Sequence, residues 1–248
     1  MKLSLIGAAG QIGTPLSLLC KSSGLFDDIA LYDLVHVPGI ATDLNHIDTK
    51  GKVFGYLPDD EGLKKALDGA DIVVVTAGIA RKPGMTRDGK PIYTIKSTYA
   101  DMPRLVQGRR FHALKQQSLI SQTNASIIRD IFTQAAHSCP KATFCVVTNP
   151  VNSTVPVAAQ ALRKAGAFDP KRLFGVTTLD VVRASTFASD ALGGDDHGTI
   201  KVPVIGGHSG ATILPLYSQA QPPVNLTSEQ LATVIHRESM TLSMHDHI

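Results

Sequence analysis

The stretch Leu3-Ser4-Leu5-Ile6-Gly7-Ala8-Ala9-Gly10-Gln11-Ile12-Gly13 decides the fold, together with the run Ile29-Ala30-Leu31-Tyr32-Asp33 that follows it. From residue 3 to residue 33 the chain has, in order, an apolar run, three glycines spaced GxxGxxG, a helix-forming segment and a second apolar run that ends in an acid. These parts in this order are typical of a βαβ unit that holds a dinucleotide. The sequence therefore predicts an α/β protein whose first unit binds such a cofactor.

Each glycine of this turn has its own expected role. Gly7 lets the chain leave the first strand sharply, and Gly13 lets the helix pack closely on that strand. Gly10 lets a pyrophosphate approach backbone N–H groups at the helix N-terminus. Gln11 and Ile12 lie in the same turn and are predicted, with the three glycines, to contact the cofactor. A tight strand-to-helix turn without a ligand is the alternative interpretation.

The helix and the second strand of the unit add to this prediction. Ile12, Leu16 and Leu19 recur at helical spacing and are predicted to form the buried face of the helix. Asp33 stands at the end of the second strand, where its carboxylate would accept hydrogen bonds from a ribose diol and repel a 2′-phosphate. The sequence therefore predicts NAD rather than NADP.

The composition of the 248 residues is that of an ordinary globular protein, with 43% hydrophobic and 18% charged residues. No apolar run is long enough to span a membrane, and no targeting peptide is recognisable before the first strand. The three cysteines have no metal-ligand spacing, which predicts no metal site and suggests reduced thiols. We expect a cytoplasmic protein, with the mitochondrion and the peroxisome left open.

Strands and helices alternate along the chain, as in a doubly wound parallel sheet. The predicted Rossmann-type domain covers residues 1–150, and a predicted substrate and catalytic domain, an incomplete α+β domain, covers residues 151–248. The first domain is predicted to contain strands at 52–56, 71–78 and 142–148 and a helix at 124–137. The second is predicted to contain a helix at 155–165, a helix ending at residue 191 and a strand at 200–205.

Five charged or titratable side chains are candidates for chemistry. Arg81 and Arg87 lie six residues apart in a loop with proline and glycine, and their planar guanidinium groups suit carboxylates. Asp180 and Arg183 are spaced to share one face of a helix. His208 lies among glycines after an apolar strand, where a ligand can approach closely. The simpler alternatives are a solvated basic loop, an intrahelical salt bridge and a turn histidine without a role.

In these motifs the chain resembles the lactate/malate dehydrogenase family, and within it the NAD-dependent malate dehydrogenases of the bacterial and mitochondrial type. The matching segments appear in family order, which is more specific than any single motif. They are Gly7–Gly10, Ala80–Arg87, Thr148–Asn152, Phe174–Asp180 and Pro203–Gly210. The resemblance implies a doubly wound fold, bound NAD and reversible hydride transfer between malate and oxaloacetate.

The resemblance also implies a role for each candidate. His208 is the acid/base for the substrate hydroxyl, and Asp180 holds its imidazole and favours the protonated form. Arg183 clamps the carboxylate beside the reacting carbon, and Arg87 polarises the carbonyl. Arg81 binds the second carboxylate of the substrate, which favours malate over lactate.

The remaining implications concern ligands and partners. Asn149 is expected to contact both the substrate and the cofactor. The expected substrate is a small dicarboxylate, malate or oxaloacetate, and neither nucleic acid nor a membrane is an expected partner. A homodimer or a tetramer is the expected assembly. A short-chain dehydrogenase is disfavoured because none of the five tyrosines has the Tyr-x-x-x-Lys spacing of that chemistry.

Two segments depart from the family pattern. Residues 89–118 carry six basic residues against one acidic residue and have no clear hydrophobic period. We interpret them as an insert, for which a translated intron is one hypothesis. The family pattern also stops before residues 238–248, so we expect an incomplete catalytic domain. Both features favour an alternative function, an NAD-binding member of the family in which turnover of malate is weak or absent.

Overall fold

The computed structural model describes residues 1–79, 107–194, 198–210 and 212–244, with the backbone alone for residues 107–121 and 239–244. The strands found there are β1 (Lys2–Ile6), β2 (Asp28–Tyr32), β3 (Lys52–Tyr56), β4 (Ile72–Val75), β5 (Thr143–Val146), β6 (Leu173–Gly175), β7 (Val204–Gly206) and β8 (Ile213–Pro215). The α-helices are α1 (Gly13–Ser22), α2 (Val37–Asn45), α3 (Gly62–Leu67), α4 (Gln107–Ser138), α5 (Val151–Lys164), α6 (Thr178–Ala191) and α7 (Ser228–Met244).

Six of the strands form one parallel sheet in the order β3-β2-β1-β4-β5-β6. The chain starts near the centre with β1, runs outward to β3, and then returns to continue from β4 to β6 on the other side. This is the doubly wound arrangement of the Rossmann fold. The register pairs Leu5 with Leu31 on one side and with Val74 on the other. The α/β fold class predicted from the sequence is confirmed.

The sheet is buried on both faces, because helices cover each side. On one face Ile128 and Phe132 of α4 belong to the same cluster as Phe144 of β5, and the two phenylalanine rings lie 5.3 Å apart. On the other face Leu3 of β1 and Val37 of α2 belong to a second cluster. Alternate side chains of β1 enter the two clusters, so this strand lies at the centre of the core.

The first structural unit extends further along the chain than the sequence predicts. It contains Met1–Ile79 and Ser121–Val176, and the second unit contains the described residues from Thr177 onward. The predicted boundary after Pro150 is therefore placed too early. Strand β6 pairs in parallel with β5, the N–H of Val176 donates to the carbonyl of Val146 at 2.9 Å, and α5 packs into the same core.

Helix α1 buries a different face from the predicted one. Gly13, Ser17 and Lys21 are buried, whereas Ile12 is 60% exposed and Leu19 is 67% exposed. A Cβ atom at Gly13 would lie 2.0 Å from the carbonyl oxygen of the first turn glycine, so the backbones approach too closely for large side chains. The helix therefore presents Gly13 and Ser17 to the sheet and Leu19 to the surface, while Leu16 of the predicted face is partly buried against the core.

Helix α4 is longer than predicted and begins inside the proposed insert. It spans Gln107–Ser138, where the sequence predicts a helix only over residues 124–137. Its described side chains agree with the predicted apolar face, since Ile128 and Ile131 are buried and Ile127 is partly buried. The whole of segment 89–118 lies outside the residues whose side chains the structure describes.

The second unit combines helices with an antiparallel strand pair. Strands β7 and β8 pair with each other, and α6 and α7 form its two described long helices. The predicted strand over residues 200–205 is mostly absent, because Lys201 makes only an isolated bridge to Gln221 before β7 begins. Ile200 and Val202 nevertheless contribute to the core, together with Tyr217.

The N-terminus of α7 is closed by a reciprocal pair of hydrogen bonds. The N–H of Thr227 donates to the Gln230 side chain, and the N–H of Gln230 donates to the Thr227 hydroxyl. This capping box fixes where the helix starts. Among the described helices, none combines the length and apolar character that a membrane crossing requires.

Candidate active site

The turn after β1 can accept only glycine at two of its positions. Gly7 has φ +94°, and a Cβ atom there would lie 2.4 Å from the backbone nitrogen of Ala77. Gly13 is equally restricted by the carbonyl oxygen of Gly7. Gly10 differs, because a Cβ atom there would lie 3.4 Å from its nearest neighbour in the structure. Bulk at Gly10 would therefore fill the space outside the turn, where the pyrophosphate is predicted to bind.

Asp33 is oriented beside this turn. Its Oδ2 atom accepts a hydrogen bond from the N–H of Ala9 at 2.8 Å, and its Oδ1 atom accepts one from the N–H of Leu34 at 2.6 Å. Gln11 and Ile12 are exposed on the outer side of the turn. A glycine turn open to solvent, next to a carboxylate held in place, fits the diphosphate and ribose of a dinucleotide.

Asn149 lies at the same edge of the sheet, just beyond β5 and before a cis peptide bond to Pro150. Its carbonyl oxygen accepts a hydrogen bond from Nδ2 of Asn124 at 2.8 Å, and Oδ1 of Asn124 accepts one from the N–H of Ile79 at 2.8 Å. Asn124 is 3% exposed. One buried amide therefore links the segments that follow β4 and β5.

Sequence reasoning missed Asn124. Its signal was an amide side chain at the start of the predicted helix over residues 124–137, just before the apolar pair Ile127 and Ile128. A polar side chain in such a position must find partners when it is buried, and Asn124 finds them at the carboxyl edge of the sheet. In a doubly wound sheet this edge, at the point where the strand order reverses, is where ligands bind.

His208 and Asp180 form a close pair in the second unit. Nδ1 of His208 lies 2.5 Å from Oδ2 of Asp180, and the two side chains are 8% and 4% exposed. An ionised carboxylate only accepts hydrogen bonds, so Nδ1 of His208 carries the proton of this contact. Asp180 stands in the first turn of α6, where the helix dipole favours a negative charge.

The hairpin between β7 and β8 fixes the position of His208. Gly206 has φ +88°, and a Cβ atom there would lie 2.1 Å from the carbonyl oxygen of Thr212. The hydroxyls of Ser209 and Thr212 lie 2.8 Å apart, and the Thr212 hydroxyl also donates to the carbonyl of Gly207. His208 is therefore presented by a compact turn rather than by a helix face.

Arg183 completes the described part of this site. Its Nη1 atom lies 4.0 Å from Oδ1 of Asp180, and its side chain is 11% exposed. Neither of these two atoms has a hydrogen-bond partner. The ion pair expected as the simple alternative thus exists, but it leaves a buried donor of Arg183 for another acceptor. A pocket opens beside the pair of Asp180 and His208, and Gly207 is also part of its lining.

A second buried acid, Glu238, was also missed from the sequence. It is 1% exposed, and neither of its carboxylate oxygens has a hydrogen-bond partner. Burial, with the neighbouring charge of Asp180 adding to it, raises the pKa of Glu238 to about 7. Tyr217 lies nearby, and burial together with the Glu238 charge raises the pKa of its hydroxyl.

The predicted site residues therefore fall into three groups. In the first unit, Asp33 lies beside the glycine turn. In the same unit, Asn149 is hydrogen-bonded to Asn124, which the sequence did not predict. Asp180, Arg183 and His208 are brought together in the second unit. Arg81 and Arg87 lie outside the described residues. Within the described part of the chain, no cluster of histidine, cysteine or acidic side chains is arranged to hold a metal ion.

A Rossmann sheet with a glycine-rich first turn and an acid at the end of its second strand defines a class, the dinucleotide-binding proteins. The profile described as lactate/malate dehydrogenase, NAD binding domain, matches residues 1–89 and 114–175. The profile described as lactate/malate dehydrogenase, alpha/beta C-terminal domain, matches residues 177–239. The chain belongs to the lactate/malate dehydrogenase family, and its first unit is an NAD-binding domain of that family.

Individual relatives point to one branch of the family. The chain is 46% identical to the mitochondrial malate dehydrogenase of Schizosaccharomyces pombe and 43% identical to that of Homo sapiens. Each match covers 95% of this chain and 60% of the relative. The malate dehydrogenase structure from Cryptosporidium parvum is similar with a TM-score of 0.73 at 26% identity, covering 97% of this chain and 68% of that one.

The chain thus spans about 60% of the length of the curated relatives it matches. The first family profile leaves residues 90–113 unmatched, and these residues lie inside the segment 89–118 that the sequence sets apart. The two profiles meet between residues 175 and 177, in agreement with the boundary between the two structural units.

Proposed function

We propose that this chain binds NAD and catalyses reversible hydride transfer between malate and oxaloacetate. The observation that carries the proposal is the 2.5 Å contact between His208 and Asp180, in a member of a family of NAD-dependent dehydrogenases. An imidazole held in one orientation by a buried carboxylate is suited to exchange a proton with a substrate hydroxyl. The relatives named malate dehydrogenase favour malate as that substrate.

His208 would act as the general acid/base. Because its Nδ1 atom donates to Asp180, the Nε2 atom is the one that would accept the hydroxyl proton of malate. The negative charge of Asp180 would then stabilise the imidazolium that forms. Bound NAD would supply the hydride acceptor at the substrate carbon. In the reverse direction His208 would return its proton to the oxygen of oxaloacetate.

Arg183 would bind the substrate carboxylate beside the reacting carbon. Its unpartnered Nη1 atom supports this role, because a carboxylate accepts two parallel hydrogen bonds from a guanidinium group. Arg81 would bind the second carboxylate and Arg87 would polarise the carbonyl, as the family resemblance implies. Asn149 would contact both ligands, and its carbonyl is positioned by Asn124.

The cofactor is proposed to be held by the turn after β1. The backbone N–H groups near Gly10 would meet the pyrophosphate, beside the exposed Gln11 and Ile12. Asp33 would exchange its contact with the N–H of Ala9 for hydroxyls of the ribose. Because its carboxylate would also repel a 2′-phosphate, we expect a preference for NAD over NADP.

The decisive experiment measures the rate at which the purified chain reduces NAD or NADP with malate or lactate as substrate. The rate is followed by the absorbance of the reduced nicotinamide. Malate with NAD is expected to give the highest kcat/KM of the four pairs. Equal rates with malate and lactate would contradict the substrate assignment, and equal rates with NAD and NADP would contradict the role of Asp33. Oxaloacetate against pyruvate provides the same contrast in the reverse direction.

The second candidate function is NAD binding without turnover. It is supported by residues 90–113, which the first family profile leaves unmatched. It is not favoured, because His208, Asp180 and Arg183 are assembled in the second unit. NAD binding measured by calorimetry beside the turnover assay separates the two, since this candidate predicts binding with no reduction of NAD. Removal of residues 89–118 would then be expected to restore turnover.

Assembly and compartment are part of the proposal. We propose a homodimer or a tetramer, supported by apolar side chains exposed on α6, namely Leu179, Val181 and Val182. Analytical ultracentrifugation tests this, and a monomer at micromolar concentration contradicts it. The two relatives named above are mitochondrial malate dehydrogenases, so we propose that compartment ahead of the cytoplasm, to be tested by fractionation.

A further inference from the structure

Glu238 is a buried acid of the second unit to which the proposed function gives no role. Its side chain is almost completely buried on α7, and both carboxylate oxygens are without a hydrogen-bond partner. Burying a carboxylate without partners is unfavourable for the ionised form, so the group must either stay neutral or acquire a cation. The groups around it decide which of these occurs.

The charged and titratable neighbours come from each element that packs against this side chain. Helix α6 supplies Asp180, whose charge opposes ionisation of Glu238, and Arg183, whose charge favours it. The 3₁₀ turn after β8 supplies Tyr217, whose hydroxyl is also buried without a partner. On α7 itself, Arg237 is paired with Asp190 at 3.0 Å.

Arg183 is the cation best placed to respond. It lies within electrostatic range of Glu238, its Nη1 atom is buried without a hydrogen-bond partner, and its distance to Asp180 is 4.0 Å. A buried guanidinium donor without an acceptor and a buried carboxylate without a donor satisfy each other when both are charged. The same donor is the one proposed to bind a substrate carboxylate.

We propose that Glu238 is a positioning residue that competes with the substrate carboxylate for the Arg183 guanidinium. When Glu238 is neutral, Arg183 stays available to the substrate. When Glu238 is ionised, it attracts Arg183 toward α7 and adds a second negative charge beside the Asp180–His208 pair. This inference rests on the proposed function, because it assumes that Arg183 binds a carboxylate of malate.

The exchange between the two states falls near neutral pH. Burial and the charge of Asp180 raise the pKa of Glu238 to about 7, so the carboxyl group is neutral below that pH and ionised above it. Both carboxylates of malate remain ionised on both sides of this value. A loss of malate affinity as the pH rises through neutrality is therefore expected from the protein rather than from the ligand.

The test measures binding of malate to the full chain saturated with NADH, a combination that cannot react because both partners are reduced. The dissociation constant is determined by calorimetry at pH 6 and pH 8.5 for the wild type and for Glu238→Gln. The dissociation constant at pH 8.5 divided by that at pH 6 is expected to be about tenfold larger for the wild type than for Glu238→Gln. This is the effect expected of one competing charge in a partly screened site. Glu229→Gln, an exposed change on the same helix, is the control and should behave as the wild type.

A second readout follows the protonation of Glu238 itself, first without ligand and then with it. Infrared difference spectra between pH 6 and pH 8.5 should show loss of the carbonyl band of one protonated carboxyl group in the wild type but not in Glu238→Gln. Addition of malate and NADH to the wild type should move this loss to higher pH, because binding and ionisation are linked reciprocally. This measurement on the wild type alone tests the inference even when the variant fails to fold.

Two failures are distinguishable. If malate binds and its pH dependence is the same in the wild type and in Glu238→Gln, the competition is refuted and the proposed function stands. If malate binds to neither protein at either pH, the proposed function itself fails and the inference fails with it. A carbonyl band that is unchanged between the two pH values in the wild type also refutes the role of Glu238.

Discussion

The glycine turn of the first unit and the polar cluster of the second unit are built in different ways. The turn is made of neighbours in the chain, Gly7 to Gly13, and Asp33 joins it from the end of the next strand. The cluster joins Asp180 to His208, which lie 28 residues apart, and adds Glu238 from a third element. The geometry of a local motif can be predicted from its own residues, whereas the geometry of a cluster of distant residues depends on how the helices pack.

The largest expected effect tests whether the cluster is catalytic. His208→Asn keeps a polar side chain but removes the general acid/base, and kcat/KM for malate is expected to fall about 10²- to 10⁴-fold. NAD binding, measured separately by calorimetry, is expected to change little, since the proposed cofactor contacts belong to the first unit. His137→Asn, at an exposed histidine of α4, is the control. Loss of activity in both variants to the same degree would refute a specific role for His208.

The next effect concerns how much buried Glu238 lowers the free energy of unfolding when it is ionised. The pKa of Glu238 is raised from its ordinary value of 4.5 to about 7, so the unfolded chain ionises first as the pH rises. The neutral carboxyl group does not lower the free energy of unfolding below pH 4.5. Its contribution to stability is lost as the pH rises through 7. Glu238→Gln removes this dependence and is expected to gain about 2–3 kcal/mol more, relative to the wild type, at pH 8 than at pH 5.

Urea unfolding at the two pH values gives this difference, and the comparison between them cancels effects of the amide that do not depend on pH. Glu229→Gln is again the matched control. An equal effect of Glu238→Gln at both pH values would show that the carboxyl group does not change its protonation there.

A similar effect is expected at the amide that links two segments of the first unit. Asn124→Ala leaves the N–H of Ile79 and the carbonyl of Asn149 without their partner, at a cost of about 1–3 kcal/mol in the free energy of unfolding. Asn124→Asp retains an acceptor for Ile79 but places a buried carboxylate oxygen against the carbonyl of Asn149, and it is expected to lose at least as much. Urea unfolding ranks the three proteins, and equal stability of Asn124→Ala and the wild type would contradict the link.

The smallest effect tests the face that α1 buries. Leu19→Gln alters an exposed side chain and is expected to change the free energy of unfolding by less than about 0.5 kcal/mol. Ser17→Leu inserts bulk at a fully buried position and is expected to cost about 1–3 kcal/mol. Thermal unfolding of both variants decides the order. The opposite order would restore the face predicted from the apolar spacing.

Much of the first unit could be predicted from the sequence because its determinants are local. The apolar strand runs, the glycine spacing that begins at Gly7 and the position of Asp33 at the end of a strand can all be read from short stretches of the sequence. The face of α1 was predicted wrongly because close approach at Gly13 overrides the apolar spacing. Asn124 and Glu238 could not be recognised because their meaning depends on which carbonyls, amides and charges the fold brings to them.

The hydrogen bond from Ile79 to Asn124 has a kinetic consequence. Ile79 lies beyond the end of β4 and its residue surface is 51% exposed, so its amide proton would ordinarily exchange with solvent within seconds. Donation to a buried side-chain oxygen protects that proton until α4 itself opens locally. The amide of Ile79 should therefore exchange with deuterium at the rate of the helix, which makes the segment directly after β4 part of the rigid scaffold.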